Sequence, residues 1–152
     1  MPSKTTFTKE DFSTILSEYD LGEYVSHQTF SNGWVQTTLL LNTTAGKSVF
    51  RYYETRTKEY VLFEIELLNY LKSKRYPCPV VIKNNQKKFL GKFIDKPYII
   101  TEFISGEHCK NPNDFDQPKE LSEIARIIAE LHLLTENYHP LDPTGHNELN
   151  IK

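Results

Sequence analysis

A glycine-containing turn and an arginine set among apolar residues are the features of this sequence best suited to binding an anion. The turn Ser31-Asn32-Gly33-Trp34 lies between two strand-like stretches, and a glycine there lets backbone N–H groups come close to a phosphate. Arg51 interrupts a stretch of apolar and aromatic residues, so its charge needs a partner. An ordinary β-hairpin would show the same turn, and Arg51 could instead face solvent on a half-exposed sheet.

Glu64 is the expected partner of Arg51. It lies in a predicted helix from Lys58 to Lys74, and apolar or aromatic residues stand three and four positions away on either side of it. This spacing puts its carboxylate within the sheet-facing arc of the helix, whereas Glu66 lies on a more mixed flank. A carboxylate aimed at a sheet is costly unless it is paired, so the sequence predicts an Arg51–Glu64 ion pair. In the alternative, the helix is rotated and Glu64 reaches solvent.

The elements that must position these residues follow from the periodicity of the sequence. Apolar residues three or four apart predict helices, and runs rich in β-branched and aromatic residues between turns predict strands. The predicted helices are 8–21, 58–74 and 118–136, and the predicted strands are 24–30, 35–42, 48–54, 80–83, 89–94 and 98–104. Together they predict an α+β fold with an antiparallel sheet of five to six strands. The polar, turn-rich stretch 107–117 is typical of a linker.

Composition limits the classes of partner. With 152 residues, of which 38% are hydrophobic and 12% aromatic, the chain can form one folded domain. Its 18 Lys and Arg against 20 Asp and Glu leave a net charge of -2, so we expect neither nucleic-acid binding nor attraction to an anionic membrane. No stretch approaches the roughly 20 apolar residues of a membrane span, and the start of the sequence lacks an apolar signal core. We therefore expect a cytoplasmic protein.

The cysteines and histidines predict no metal site. Cys78 and Cys109 lie far apart in the sequence without metal-ligand spacing, so we expect ordinary reduced thiols. His132 falls on the apolar stripe of the last predicted helix, where a hydrogen-bonded structural histidine is expected rather than a catalytic one. Four other histidines are isolated and form no ligand pattern with a cysteine or carboxylate: His27, His108, His139 and His146.

The order helix, three strands, helix, three strands, linker and helix, with a glycine turn between the first two strands, resembles a protein-kinase-like amino-terminal lobe. Short phrases extend the resemblance to the homoserine kinase/aminoglycoside phosphotransferase family. They are Tyr19-Asp20-Leu21-Gly22, Ser31-Asn32-Gly33, Val49-Phe50-Arg51-Tyr52-Tyr53-Glu54, Leu67-Leu68-Asn69-Tyr70-Leu71, Pro77-Cys78-Pro79, Ile104-Ser105-Gly106 and Ala129-Glu130-Leu131-His132-Leu133. The resemblance covers residues 8–138. It implies a kinase-like lobe at 1–106, a hinge or linker at 107–117, and the start of a second lobe at 118–152.

This resemblance implies a nucleotide site, with ATP as the cofactor. In kinase-like lobes the third strand carries a basic residue that meets the nucleotide phosphates and pairs with a helix carboxylate, and Arg51 and Glu64 stand at those places. The turn at 31–34 would contact the phosphates. By the same comparison, Thr101 guards the back of the pocket, the Glu102 carbonyl accepts a hydrogen bond from the adenine amine, and the Ile104 N–H donates to the ring.

The residues that transfer a phosphoryl group in such enzymes are missing from the sequence. Catalysis needs a carboxylate for the attacking hydroxyl and an Asn and an Asp for Mg2+, which in this family resemble a His-x-Asp-x-x-x-x-Asn phrase followed by a second Asp. Two late stretches match neither the phrase nor its place: His139-Pro140-Leu141-Asp142 and His146-Asn147-Glu148. We therefore expect the catalytic lobe to be absent, the chain to be inactive alone, and Mg2+ to bind only in an intact family member.

Three functional classes stay open. In the first, the chain is the ATP-binding part of a truncated kinase for a small hydroxylated substrate, with homoserine expected first and an aminoglycoside or other small alcohol next. In the second, it is a non-catalytic module that binds a nucleotide or a protein. In the third, the resemblance is accidental and the chain is a plain interaction domain.

The last predicted helix, 118–136, bears on the partners in each class. Its apolar stripe consists of Leu121, Ile124, Ala125, Ile128 and Leu131, and exposure of this stripe would forgo on the order of several kcal/mol of burial. We therefore expect this helix to self-associate, to fold back on the lobe, or to pack on a missing second lobe.

Overall fold

The computed structural model describes residues 4–30, 36–106 and 118–141. Along the chain its elements are α1 (Lys9–Leu16), β1 (Tyr24–Thr29), β2 (Thr37–Thr43), β3 (Gly46–Tyr52), α2 (Lys58–Ser73), β4 (Gly91–Phe93), β5 (Lys96–Glu102) and α3 (Pro118–Thr135). The predicted α+β fold is therefore confirmed. The predicted turn at 31–34 and the predicted linker at 107–117 lie outside the described residues, and the division into two lobes stays a prediction.

The five strands form an antiparallel sheet in the order β1-β2-β3-β5-β4. A two-residue turn closes the β4–β5 hairpin at Ile94 and Asp95, whose φ values of 43° and 63° suit the twist of a tight hairpin. The predicted strands 89–94 and 98–104 put this turn at 95–97. It falls earlier because Lys96 and Pro97 already pair with β4 in the ladder.

Alternate residues of the sheet face two different helices. On one side α1 covers an aromatic core that includes Phe12, Phe50 and Tyr98. On the other side α2 buries Val61 and Ile65 against Tyr53, Val81 and Ile99. The period of two along each strand thus divides the core into two clusters, one on each face of the sheet.

The predicted strand at 80–83 is wrong. Val81 makes only an isolated bridge to Thr101, flanked by hydrogen bonds from the Ile82 N–H to the Ile100 carbonyl and from the Glu102 N–H to the Val80 carbonyl. The segment therefore runs beside β5 without forming a ladder of its own. The prolines just before it restrict the backbone, and the turn after it begins at once, where the Asn84 N–H donates to the Lys88 carbonyl.

Helix α1 starts where the sequence predicted and ends earlier. Thr8 and Asp11 form the reciprocal capping box at its start. The helix ends at Leu16 because the following chain packs against the β2–β3 turn, where the Glu23 N–H donates to Thr44 Oγ1 over 2.8 Å. Gly22 makes this approach possible: its φ is 73°, and a Cβ there would lie 2.3 Å from Thr44 Oγ1.

Two backbone carbonyls of helix α3 accept hydrogen bonds from tyrosines elsewhere in the described chain. The Tyr76 hydroxyl donates to the Ile127 carbonyl at 3.2 Å, and the Tyr70 hydroxyl donates to the Leu134 carbonyl at 2.8 Å. Three stripe residues stay exposed: Leu121, Ile124 and Ile128. The helix therefore folds back on the lobe, as one of the alternatives predicted, but with a different edge. Among the described helices, none is long and apolar enough to cross a membrane.

Candidate functional site

The ion pair predicted from helix geometry is present. Arg51 Nη1 donates to Glu64 Oε1 at 2.5 Å, and the two side chains are 35% and 20% exposed. The contact uses one nitrogen of a guanidinium that carries five N–H donors. Arg51 is thus held in place by a carboxylate and still has donors and solvent access to offer to a ligand.

Helix α2 aims Glu64, and not Glu66, at this arginine. Thr57 caps the helix by accepting from the Tyr60 N–H, and the buried residues Val61 and Ile65 turn their face of the helix toward the sheet. Glu64 lies on the edge of that face, whereas the Glu66 carboxylate accepts from the Leu141 N–H at 2.8 Å. Glu64 and Glu66 therefore contact different partners, as their positions on the helix predicted.

The guanidinium of Arg51 stays charged in this setting. Burial by itself would lower its pKa, but the Glu64 carboxylate, with a smaller contribution from Tyr53, more than offsets burial, and the pKa is raised. A guanidinium that stays charged and is held in place by a carboxylate is suited to binding an anion such as a phosphate.

The sheet face around Arg51 is apolar and partly open. Across the ladder Thr38 pairs with Arg51, and Val49 pairs with both Leu40 and Thr101, so these side chains share one face of the sheet. Leu40 and Val49 are half-buried, whereas Leu39 and Phe50 on the opposite face are buried under α1. Leu40 and Val49 are not among the site residues predicted from the sequence. Val49 stands two residues before Arg51 in the same strand, so the period of two places both on one face, and Leu40 is the ladder partner of Val49.

The other predicted site residues lie near this face or beyond its edge. Thr101 is buried on it, and Glu102 ends β5. Ile104 lies past the end of β5 and is 60% exposed. Ser31, Asn32, Gly33 and Trp34 lie outside the described residues. Their roles in binding stay predictions.

The described residues that flank the predicted turn lie at the end of the sheet that holds Arg51. The last pair between β1 and β2 joins Thr29 to Leu39, and the Phe30 N–H donates to the Thr38 carbonyl. Because Thr38 also pairs with Arg51, the described residues on both sides of 31–35 lie next to the row that holds the arginine.

The histidines that the structure describes take no part in this arrangement. His27 Nδ1 lies 2.9 Å from the Tyr24 hydroxyl, and its ring packs on Phe12. His132 is exposed, so the prediction of a buried structural histidine there is wrong. The reason is that α3 turns a different edge toward the lobe. Within residues 4–30, 36–106 and 118–141, no group of three His, Cys, Asp or Glu could hold a metal ion.

The chain matches the model of a phosphotransferase enzyme family over residues 26–150. It is 30% identical over 130 residues to homoserine kinase from Parvibaculum lavamentivorans, and the aligned part covers 85% of this chain and 39% of that protein. Homoserine kinase from Agrobacterium fabrum is 25% identical over 142 residues, covering 93% of this chain and 43% of that protein.

Among solved structures, the fold is similar to an amicoumacin kinase in complex with AMP-PNP and Ca2+. The TM-score is 0.69 at 13% identity, and the match covers 89% of this chain and 43% of that one. The chain thus spans about two fifths of the length of the proteins that it matches. The protein-kinase-like fold predicted for the lobe is confirmed by this likeness.

Proposed function

Since the chain belongs to the phosphotransferase enzyme family, we propose that it is the ATP-binding part of a kinase that phosphorylates the hydroxyl of a small molecule. Homoserine is the first candidate substrate, because the curated relatives are homoserine kinases, and an aminoglycoside or another small alcohol is the next. The family match also makes the third functional class, an accidental resemblance, wrong.

The observation that carries this proposal is the Arg51–Glu64 ion pair on a partly open sheet face. In the proposed complex the adenine ring lies over Leu40 and Val49, with Thr101 behind it. The backbone of Glu102 and Ile104 meets its edge. Arg51 follows Val49 by two residues, about 7 Å along a strand, so the phosphates extend from the base toward the arginine.

The turn at 31–34 completes the proposed site. Phe30 and Thr38, which are described on either side of it, lie beside the row of Arg51, and the backbone N–H groups of Asn32 and Gly33 are proposed to cradle the phosphates that the guanidinium meets. When bound, ATP supplies the phosphoryl group that is transferred. This chain's own residues bind and orient the nucleotide.

Transfer itself belongs to the whole protein. We propose that the residues that hold Mg2+ and activate the acceptor hydroxyl lie in the part of the family fold that this chain does not span. The chain alone is then a binding unit without turnover. Detectable phosphorylation of homoserine by the purified chain would contradict this part of the proposal. A cytoplasmic location stays a prediction.

Nucleotide binding is tested by calorimetric titration of the purified chain with Mg-ATP. Arg51→Ala should weaken binding by about 10-fold or more, because a hydrogen bond to a charged group contributes about 1.5–3 kcal/mol. Arg126→Ala is the matched control, since Arg126 is also ion-paired but lies on exposed α3. Absence of binding by the wild type at millimolar Mg-ATP, or equal binding by Arg51→Ala, would reject the proposed site.

One observation favours a second candidate, a protein-interaction module. The stripe formed by Leu121, Ile124 and Ile128 on α3 is exposed, and clustered apolar residues on a helix commonly mark a contact surface. If this stripe joins two copies of the chain, light scattering should give a dimer or larger species for the wild type and a monomer for Ile128→Glu. A monomeric wild type that binds no surface dye would argue against this candidate.

A further inference from the structure

Tyr53 lies beside the ion pair and is completely buried. It follows Arg51 by two residues, so both side chains face α2, and its exposed fraction is 0%. Its ring packs in the cluster with Val61 and Ile65, the residues that stand three positions before and one position after Glu64 in the helix. The tyrosine thus fills the space between β3 and the part of α2 that carries the carboxylate.

The hydroxyl of Tyr53 is the unusual part of this arrangement. It is buried, and no polar atom among the described residues lies in full hydrogen-bonding geometry to it, although the Glu64 and Arg51 side chains are close enough to shift its pKa. A buried hydroxyl without a partner destabilises the folded state, and a phenylalanine would fill nearly the same volume. The packing of the core therefore does not account for the oxygen atom.

The charged groups nearest this hydroxyl are Glu64 and Arg51. Burial first, and then the Glu64 carboxylate, raise the pKa of Tyr53, while Arg51 acts in the opposite direction. The phenol is therefore protonated at neutral pH and can act as a hydrogen-bond donor, for which a carboxylate is the natural acceptor.

Binding an anion creates a need for such a donor. If Arg51 turns toward a phosphate, Glu64 loses the partner that now lies 2.5 Å away, and a half-buried carboxylate left alone is costly. We propose that Tyr53 is a positioning residue whose hydroxyl donates to Glu64 as Arg51 engages the nucleotide phosphate. The donor that is unpaired in the free protein is satisfied in the complex, which lowers the cost of moving the guanidinium. This inference rests on the proposed nucleotide site.

The test is the Tyr53→Phe variant, which removes only the oxygen atom. In calorimetric titration with Mg-ATP its affinity should be about 10-fold lower than that of the wild type, as expected when a donor to a charged acceptor is lost. Without nucleotide, its melting temperature should be equal to that of the wild type or higher, because the hydroxyl has no partner to lose. A merely structural tyrosine would give the reverse pattern.

Two further variants sharpen the comparison. Tyr19→Phe is the matched control: its hydroxyl is also buried without a partner among the described residues, but it lies in the cluster under α1 on the opposite face of the sheet, so its ATP affinity should be unchanged. In a Glu64→Gln background, Tyr53→Phe should change the affinity by less than about 2-fold, because the charged acceptor is gone.

Three results would overturn the inference. In the first, Tyr53→Phe binds Mg-ATP as tightly as the wild type while Arg51→Ala binds it weakly, which would leave the proposed site intact. In the second, Tyr53→Phe unfolds or melts several degrees lower without nucleotide, which would show that the hydroxyl already has a structural partner. In the third, the wild type binds no Mg-ATP at all, which would reject the proposed function together with this inference.

Discussion

The buried carboxylate of Glu54 joins three distant parts of the chain, and its replacement by glutamine tests how much that junction stabilises the fold. Its side chain is 3% exposed. Oε1 accepts from the Thr5 N–H and the Thr37 hydroxyl, both at 2.7 Å, and Oε2 accepts from the Thr5 hydroxyl at 3.0 Å and from Lys96 Nζ at 2.8 Å. Glutamine keeps the shape but removes the charge and one acceptor.

The expected loss follows from these contacts. Two hydrogen bonds to the retained oxygen change from charged to neutral acceptors, at about 1 kcal/mol each. The Thr5 hydroxyl can reverse its role and accept from the new amide. The contact with Lys96 is lost, because the new amide and the ammonium group are both donors. Since Lys96 is 41% exposed, water can replace the lost contact, and its loss costs about 1 kcal/mol or less. Glu54→Gln should therefore lower the free energy of unfolding by about 3 kcal/mol, a large share of the about 5–15 kcal/mol of a typical domain.

The pH dependence of stability gives an independent check. Burial alone would raise the pKa of Glu54, but the hydrogen bonds from Lys96, Thr5 and Thr37 outweigh it, and the pKa lies below its ordinary value of 4.5. A lowered pKa in the folded state means that the stabilisation is fully present above pH 4.5 and is lost as the pH falls through the folded pKa. The gap between wild type and Glu54→Gln should thus be constant near neutrality and shrink below pH 4.5.

Urea unfolding followed by circular dichroism measures this gap at several pH values. Glu18→Gln serves as the control, because Glu18 is exposed and should change stability by less than about 0.5 kcal/mol. A Glu54→Gln variant that unfolds within about 1 kcal/mol of the wild type at pH 7, or a gap that does not depend on pH, would refute the reasoning.

Other expectations follow from single contacts. Gly91→Ala should lower the free energy of unfolding by about 3 kcal/mol, because the new Cβ would lie 2.1 Å from the buried Tyr98 ring; unchanged urea unfolding would contradict this. Thr8→Ala should lower it by about 1 kcal/mol, since Thr8 caps α1, and circular dichroism in urea measures the loss. Tyr70→Phe removes the donor to the Leu134 carbonyl, so hydrogen exchange of α3 amides should become about 5-fold faster, while sheet amides that also become faster would show a global effect.

The local elements were largely predictable from the sequence. The helices at 58–73 and 118–135 and the central strands carry strong periodic patterns, and these match the observed bounds within a few residues. The Arg51–Glu64 pair was also predictable, because a strand position and a helix face together fix which charged groups meet. The failures lie at 17–21 and 80–83, where contacts with other segments override local pattern.

The hydrogen bonds that join Glu54 to distant segments could not be predicted from the sequence. Thr5, Thr37, Glu54 and Lys96 are separated by long stretches of chain, and no periodicity links them. The unpaired hydroxyl of Tyr53 could not be predicted from the sequence either. A tyrosine in an aromatic-rich stretch is typical of a core residue, and only the fold shows which groups surround its oxygen atom.

The sequence by itself therefore determined the order of helices and strands, the family resemblance and the charged pair, since each depends on spacing within one or two elements. Only the tertiary structure decided which edge of α3 meets the lobe, which carboxylate joins the amino-terminal segment to the sheet, and which hydroxyl stands beside the ion pair. The physical reason is that burial and hydrogen bonding between distant segments depend on how the elements pack, and a linear pattern carries no record of that packing.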